Sequence, residues 1–169
     1  PARFGKDTAK NENSMAAGRK VEKFVDGLSD GDLLLCLISG GGSSLVTSPL
    51  EGISLEDTQS LTSSLLECGA RIDEINVLRR HLDRLKGGGL AGLAAPARVV
   101  SLILSDVVGN SLETIASGLT VPDPTSAADG LAVLKKYKLA EKVPNNIRKA
   151  LKKESKTGSE PNSEHVQNI

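Results

Sequence analysis

Hydrophobic and polar positions follow two different periods along this chain. The run Leu33-Leu34-Leu35-Cys36-Leu37-Ile38 is continuously apolar and stops at Ser39 and three glycines. A short run of this kind reads as a strand buried on both faces, the pattern of parallel sheets under helices. Residues 98–104 (RVVSLIL) repeat it and stop at Ser105-Asp106. Helical spacing governs the rest. Val21, Phe24, Val25 and Leu28 predict a helix over 15–28. Ser54-Leu55-Glu56-Asp57 resembles a capping box that opens a helix to about Glu67. Ile72, Ile75, Leu78, Leu82 and Leu85 lie on one stripe and predict an amphipathic helix over 72–86, broken by Gly87-Gly88-Gly89. A turn at 90–95 and a short helix from Asn110 to Ser117, capped by Asn110 or Ser111, come next. Pro122 and Pro124 then mark a loop, and helices are expected over 127–137 and 145–153. Residues 1–14 carry no pattern and read as loop. Residues 153–164 read as a solvated linker or insertion, and a strand starts again at His165–Ile169.

This alternation predicts an α/β sandwich with a parallel sheet flanked by helices. Two strands do not complete a sheet, and the chain opens on Pro1 rather than Met. The expectation is therefore an incomplete fragment. Residues 1–14 form a polar N-terminal segment, 15–152 part of an α/β domain, and 153–169 a linker or insertion leading to a missing C-terminal part. Aromatic residues make up only 2% of the chain, so Leu, Val, Ile and Ala must build the core. Lys+Arg and Asp+Glu are equal at 21 each, which argues against a nucleic-acid or membrane-surface partner. No apolar run approaches the roughly 20 residues of a membrane span. Cys36 and Cys68 stand in unrelated contexts, neither a disulfide framework nor a zinc pattern. A reducing, cytoplasmic location follows as the expectation, or a mitochondrial one if a targeting segment is missing.

Chemistry concentrates in a few places. Ser39-Gly40-Gly41-Gly42-Ser43-Ser44 directly follows a buried strand, and ligands of parallel sheets bind at that carboxyl edge. Glycines let backbone N–H groups approach an anion, and the serines add hydroxyl donors. The segment lacks the Gly-Lys-Ser/Thr ending of a Walker loop and is not GxGxxG. A flexible connection explains it equally well. On the helix expected over 72–86, Asn76, Arg79, Asp83 and Lys86 project onto one flank beside the apolar stripe, while Arg80 and Arg84 point away. Such a ribbon suits a cleft in which Arg79 clamps a carboxylate and Lys86 neutralises a phosphate. A solvated helix border with snorkelling side chains is the competing reading. Asp106, at the end of the second strand, suits Mg²⁺ binding or action as a base, and suits a helix cap equally. His81 reads as structural or exposed, and Cys36 as a small core residue. No Ser-His-Asp or Cys-His set can be assembled.

Four ordered blocks resemble the glycerate 2-kinase family, whose members carry a C-terminal MOFRL domain. They are LISGGGSSL at 37–45, GARIDEINVLRRHLDRLKGGGL at 69–90, PARVVSLILSDVVGN at 96–110 and IASGLTVPDPTS at 115–126. The resemblance implies a Rossmann-like sheet, transfer of a phosphoryl group from ATP to glycerate, a divalent metal such as Mg²⁺, and a cleft between this domain and the C-terminal one. By motif match, Ser39, Gly40, Gly41, Gly42, Ser43, Ser44, Asn76 and Arg79 bind phosphate or substrate, and Lys86 and Asp106 are catalytic. The small molecule is the expected partner, with self-association of the full-length protein left open. Leu119 and Val108 stand where the family usually has Pro, and Asn110 where it has Asp. The family's upstream Gly-Lys segment and its Gly-Arg-Asn-Gln-Glu motif are absent, so the chain alone is expected to be inactive. A hydroxypyruvate reductase-type oxidoreductase and a non-catalytic anion-binding module are the competing functions.

Overall fold

The computed structural model describes residues 11–105, 111–157 and 165–169. Its elements in order are α1 (Glu12–Val25), β1 (Leu33–Ser39), α2 (Gly42–Leu45), α3 (Leu55–Glu67), α4 (Ile72–His81) and α5 (Gly89–Ala94). These are followed by β2 (Arg98–Leu104), a 3₁₀ turn (Ile115–Ser117), α6 (Ala127–Lys136), α7 (Asn145–Thr157) and β3 (Val166–Asn168). The α/β class stands. The three strands run parallel in the order β1-β2-β3, with Leu33 opposite Arg98, Ser39 opposite Leu104 and Val99 opposite Val166. The strand expected at the C-terminal end is thus part of the sheet, and the expected 153–164 linker is corrected at 153–157, where α7 continues; 158–164 lie outside the described residues.

Caps explain where several helices begin. Ser54 accepts from the Asp57 amide and Asp57 returns the bond to the Ser54 amide, which starts α3 where the sequence places it. Ser126 and Asp129 do the same for α6. Asn11 and Ser14 form a third reciprocal box, so α1 starts at Glu12 inside the segment expected to be loop.

Two larger clusters form the core. Leu61, Leu65, Ile75, Leu78, Leu134, Ile147 and Leu151 lock α3, α4, α6 and α7 into a helical layer. Val25, Leu85, Leu90, Ala94 and Val99 join α1 and α5 to one face of the sheet. Among the described residues the other sheet face is uncovered, which corrects the expectation of strands buried on both sides. Leu33, Leu35, Leu37, Leu102, Leu104 and Ile169 are all exposed, Leu37 at 76%. Side chains alternate across a strand, and the described helices cover one face only. An all-parallel sheet normally has both faces covered.

One surface contact ties the helical layer together and gives a pH-dependent prediction. Glu74 accepts from Lys136 Nζ at 2.6 Å, from Tyr137 Oη at 2.6 Å and from the Arg71 amide at 3.0 Å. Lys136 foremost, then Tyr137 and the amide, hold its carboxyl down from 4.5 to about 2. A depressed carboxyl contributes stability that is present above its unfolded value and lost as pH falls through the folded one. The urea midpoint of the wild type should therefore fall more steeply than that of Glu74→Gln between about pH 4.5 and 2. Parallel curves for the two proteins in that window would contradict the assignment.

Candidate functional site

The glycine segment sits at the carboxyl edge of the sheet. β1 ends at Ser39, and Gly41 turns the chain with φ at +79°. That left-handed backbone suits glycine, and no atom lies within 4 Å of where its Cβ would be. Gly42 to Leu45 form the single turn α2, closed by Ser44 N donating to Gly41 O at 3.2 Å, with no side-chain cap at Gly41. Ser44 Oγ donates to Gly41 O at 2.9 Å and steadies the bend. Ser39 and Gly41 are exposed, Gly40, Ser43 and Ser44 partly so. Because Ser39 pairs with Leu104, the segment lies beside the end of β2. Asp106, two positions further on, lies outside the described residues.

Two other segments meet this one. Ala116, Ser117 and Gly118 are consecutive left-handed residues, with φ of 49°, 58° and 63°. Two of them are not glycine, and such residues cost of order 1–3 kcal/mol each unless their surroundings hold them. Here the surroundings do. Ser117 Oγ is 2.8 Å from Ser43 Oγ, and the Gly87 and Gly88 amides donate to Ser117 O at 3.1 Å and Gly118 O at 2.7 Å. A Cβ on Gly42 would reach within 3.2 Å of Ala116 Cβ, so the approach of α2 to this turn needs a small residue. The pattern LISGGGSSL reveals the glycine segment, but Ala116 and Ser117 carry no turn signal beyond the Ser-Gly pair. Sequence reasoning therefore missed them.

The expected cationic ribbon does not exist as drawn. α4 ends at His81, and Leu82 leaves the helix with φ −118° and ψ 9°. Residues 82–84 instead pair with 48–50: Leu50 N donates to Leu82 O, Arg84 N donates to Ser48 O, and Asp83 bridges Pro49. A helical projection beyond His81 therefore fails. Lys86 is fully buried. Its Nζ donates to Val46 O at 2.8 Å and lies 3.2 Å from Asp83 Oδ2. Asp83 also accepts from Thr47 Oγ1, from the Ser48 amide at 3.2 Å and from the Leu85 amide at 3.2 Å.

Arg79 and Asn76 are placed elsewhere. Arg79 lines a narrow hollow together with Thr58, Leu61, Thr62 and Leu65 of α3, and burial lowers its guanidinium pKa. It donates a long hydrogen bond of 3.4 Å to the Oδ1 of Asn76, which is itself buried. Among the described residues, no hydrogen bond or ion pair joins Arg79 to the glycine segment.

Arg80, expected to point away, is buried instead. Its Nε is 2.8 Å from Asp123 Oδ1, too oblique for a directed hydrogen bond but close enough for an ion pair. His81 Nε2 lies 3.4 Å from Asp123 Oδ2 and 3.2 Å from Thr125 Oγ1. Cys36 is half-buried on the covered sheet face, and burial pushes its thiol up.

The described residues contain no group of three His, Cys, Asp or Glu side chains arranged to hold a metal. None of their helices is long and apolar enough to cross a membrane.

Comparison with known proteins agrees along nearly the whole chain. The chain is 52% identical over 127 residues to a D-glycerate 2-kinase of Thermotoga maritima, covering 75% of this chain and 30% of that protein. It is 43% identical over 160 residues to the human glycerate kinase, covering 95% of this chain and 30% of that one. A crystal structure of a Thermotoga maritima glycerate kinase matches with a TM-score of 0.86 at 43% identity, over 95% of this chain and 37% of that one. The chain thus spans about 30% of the length of these curated relatives. Residues 3–152 match the family described as a domain of unknown function, DUF4147, and the chain belongs to that family.

Proposed function

We propose that this chain is part of an ATP-dependent glycerate kinase and supplies the anion-binding edge of its active site. The reading is supported above all by 43% identity to a glycerate kinase structure at a TM-score of 0.86, over 95% of this chain. The geometry of the glycine segment lends support. Phosphoryl transfer depends mainly on positioning and charge neutralisation. Ser39 to Ser44 offer exposed glycine backbone and serine hydroxyls at the sheet edge where parallel sheets bind ligands.

In this proposal the segment Ser39–Ser44 holds the anionic group of glycerate or the phosphates of ATP. Asp106, two positions after the end of β2, is the proposed base toward the accepting hydroxyl. Asn76 and Arg79 are left out, because Arg79 lines a hollow against α3 and Asn76 is buried and accepts from Arg79. Mg²⁺ accompanies ATP in the proposal, but no step is assigned to it. A further MOFRL-type domain closes the cleft, and the protein works in the cytoplasm.

The test is ATP-dependent turnover of D-glycerate by the longest natural polypeptide that contains this chain, followed by phosphorus NMR of the product. A phosphoglycerate is expected, and none from the 169-residue chain alone. Nicotinamide-dependent reduction of hydroxypyruvate without phosphoryl transfer would instead make the protein an oxidoreductase. If neither reaction occurs, a non-catalytic anion-binding module remains.

A further inference from the structure

The contacts around Lys86 close a ring. From Lys86 Nζ the path runs 2.8 Å to Val46 O, the residue that ends the glycine turn α2. The next residue, Gly87, donates to Ser117 O at 3.1 Å. Ser117 Oγ meets Ser43 Oγ at 2.8 Å, and Ser43 lies within α2. Lys86 thus joins the exit of the glycine segment to the strained 116–118 turn that contacts its middle. Its side chain and that of Asp83 are both 0% exposed, and the two lie 3.2 Å apart.

Asp83 strengthens the same junction. Through Thr47 Oγ1 and the Ser48 amide it holds the two residues after Val46. From the far side, Thr47 N donates to Ser14 O at 3.1 Å in α1. The exit of the glycine segment is therefore fixed from both sides, and the ammonium of Lys86 bonds directly to its carbonyl.

We propose that Lys86, paired with Asp83, is a positioning residue. It sets where the Gly41–Val46 turn stands against Ser117, and it does not itself touch phosphate. This rests on the kinase reading only for its effect on turnover; the effect on the turn itself is independent of that reading. A displacement of about 1 Å in a positioned group can cost about 100-fold in rate.

The experiment uses the longest natural polypeptide that contains this chain, as wild type, Lys86→Met, Asp83→Asn and the double variant. Amide hydrogen exchange at 41–46 is measured without ligand, and kcat and KM for ATP are measured beside it. Both single variants should speed exchange at 41–46 and lower kcat/KM by about 10- to 100-fold. The double variant should be no worse than the poorer single one, because the pair acts as a unit. Thr47→Val, which removes one hydroxyl and no charge, is the mild arm. A smaller rise in exchange is expected there, and no rise counts against the proposal whatever the fate of Lys86→Met.

If Lys86→Met abolishes kcat with exchange at 41–46 unchanged, while Asp83→Asn keeps wild-type turnover, Lys86 acts on substrate directly and the proposal is overturned. If the wild type shows no kinase activity, the functional reading fails and the exchange arm alone decides the positioning claim.

Discussion

Asp123→Ala is expected to destabilise the folded chain by about 3–5 kcal/mol, the cost of leaving a buried charge without its partner. Asp123 is the counter-charge to Arg80, whose side chain is only 5% exposed. It also accepts from Thr125 N at 2.9 Å and Thr125 Oγ1 at 2.7 Å, which folds the 123–125 loop onto α4. Without the carboxylate, the guanidinium keeps a long hydrogen bond of 3.5 Å to Thr125 Oγ1. Asp123 also stands close to the junction of the candidate site. A Cβ on Gly87 would reach within 3.1 Å of Asp123 Cβ, and Gly87 is the residue that binds Ser117 O. Loss of Asp123 should therefore loosen the site as well as the fold. Urea unfolding checks the magnitude. Replacing both partners with apolar residues of similar volume should recover much of the loss, because an apolar pair carries no desolvation penalty. A cost below about 1 kcal/mol for Asp123→Ala would mean that Arg80 reaches water and that the pair is a surface one.

Gly18→Ala should have the second largest effect, with a sign opposite to helix propensity. In a helix interior, alanine is normally better than glycine by about 1 kcal/mol. Gly18 lies in α1 where the helix backbone meets Thr47 directly. A Cβ there would stand 2.1 Å from Thr47 O and 2.7 Å from Thr47 C. Both are backbone atoms, so no rotamer change relieves the clash. α1 or the 46–48 segment must move, and the Thr47 N to Ser14 O bond is the first to go. Overpacking of this kind costs about 1–3 kcal/mol, and occasionally more. Gly92→Ala is the control. It lies in α5 with nothing within 4 Å of its Cβ, so a small gain is expected. If Gly18→Ala and Gly92→Ala both stabilise, the close approach of α1 to Thr47 is wrong.

Much of the fold was legible because local signals and packing agreed. Reciprocal caps at Ser54 and Ser126 start helices where the apolar spacing does. The two aliphatic runs became β1 and β2, and the apolar return at Val166 became β3. The illegible parts have specific causes. The Asn11 and Ser14 box lies ahead of the apolar spacing, so no stripe announced the start of α1. Lys86 and Asp83 fitted the amphipathic pattern, but the backbone of 82–84 found partners at 48–50 instead of continuing the helix. That is a tertiary event between residues more than 30 positions apart. Arg80 and His81 looked outward on a helical wheel because their partner, Asp123, lies in a loop far along the chain.

The candidate site divides in the same way. The glycine segment was visible as three glycines between serines after an apolar run, a pattern that a flexible connection also produces. The left-handed turn at Ala116 and Ser117 was not, because neither residue type favours that backbone. The bare face of Leu33, Leu35 and Leu37 was invisible for a different reason. A continuous apolar run states that a strand wants cover on both faces, not that both covers are present.

The central claim is that the Ser39–Ser44 segment binds the anion on which this family's proposed chemistry depends. Its most direct test is amide hydrogen exchange in the longest natural polypeptide containing this chain, with and without ATP and D-glycerate. Added ligand should slow exchange at residues 40–44 more than anywhere in α3, α6 or α7. Slowed exchange around Arg79 and Asn76, with none at 40–44, would contradict the account and return the anion site to the helix.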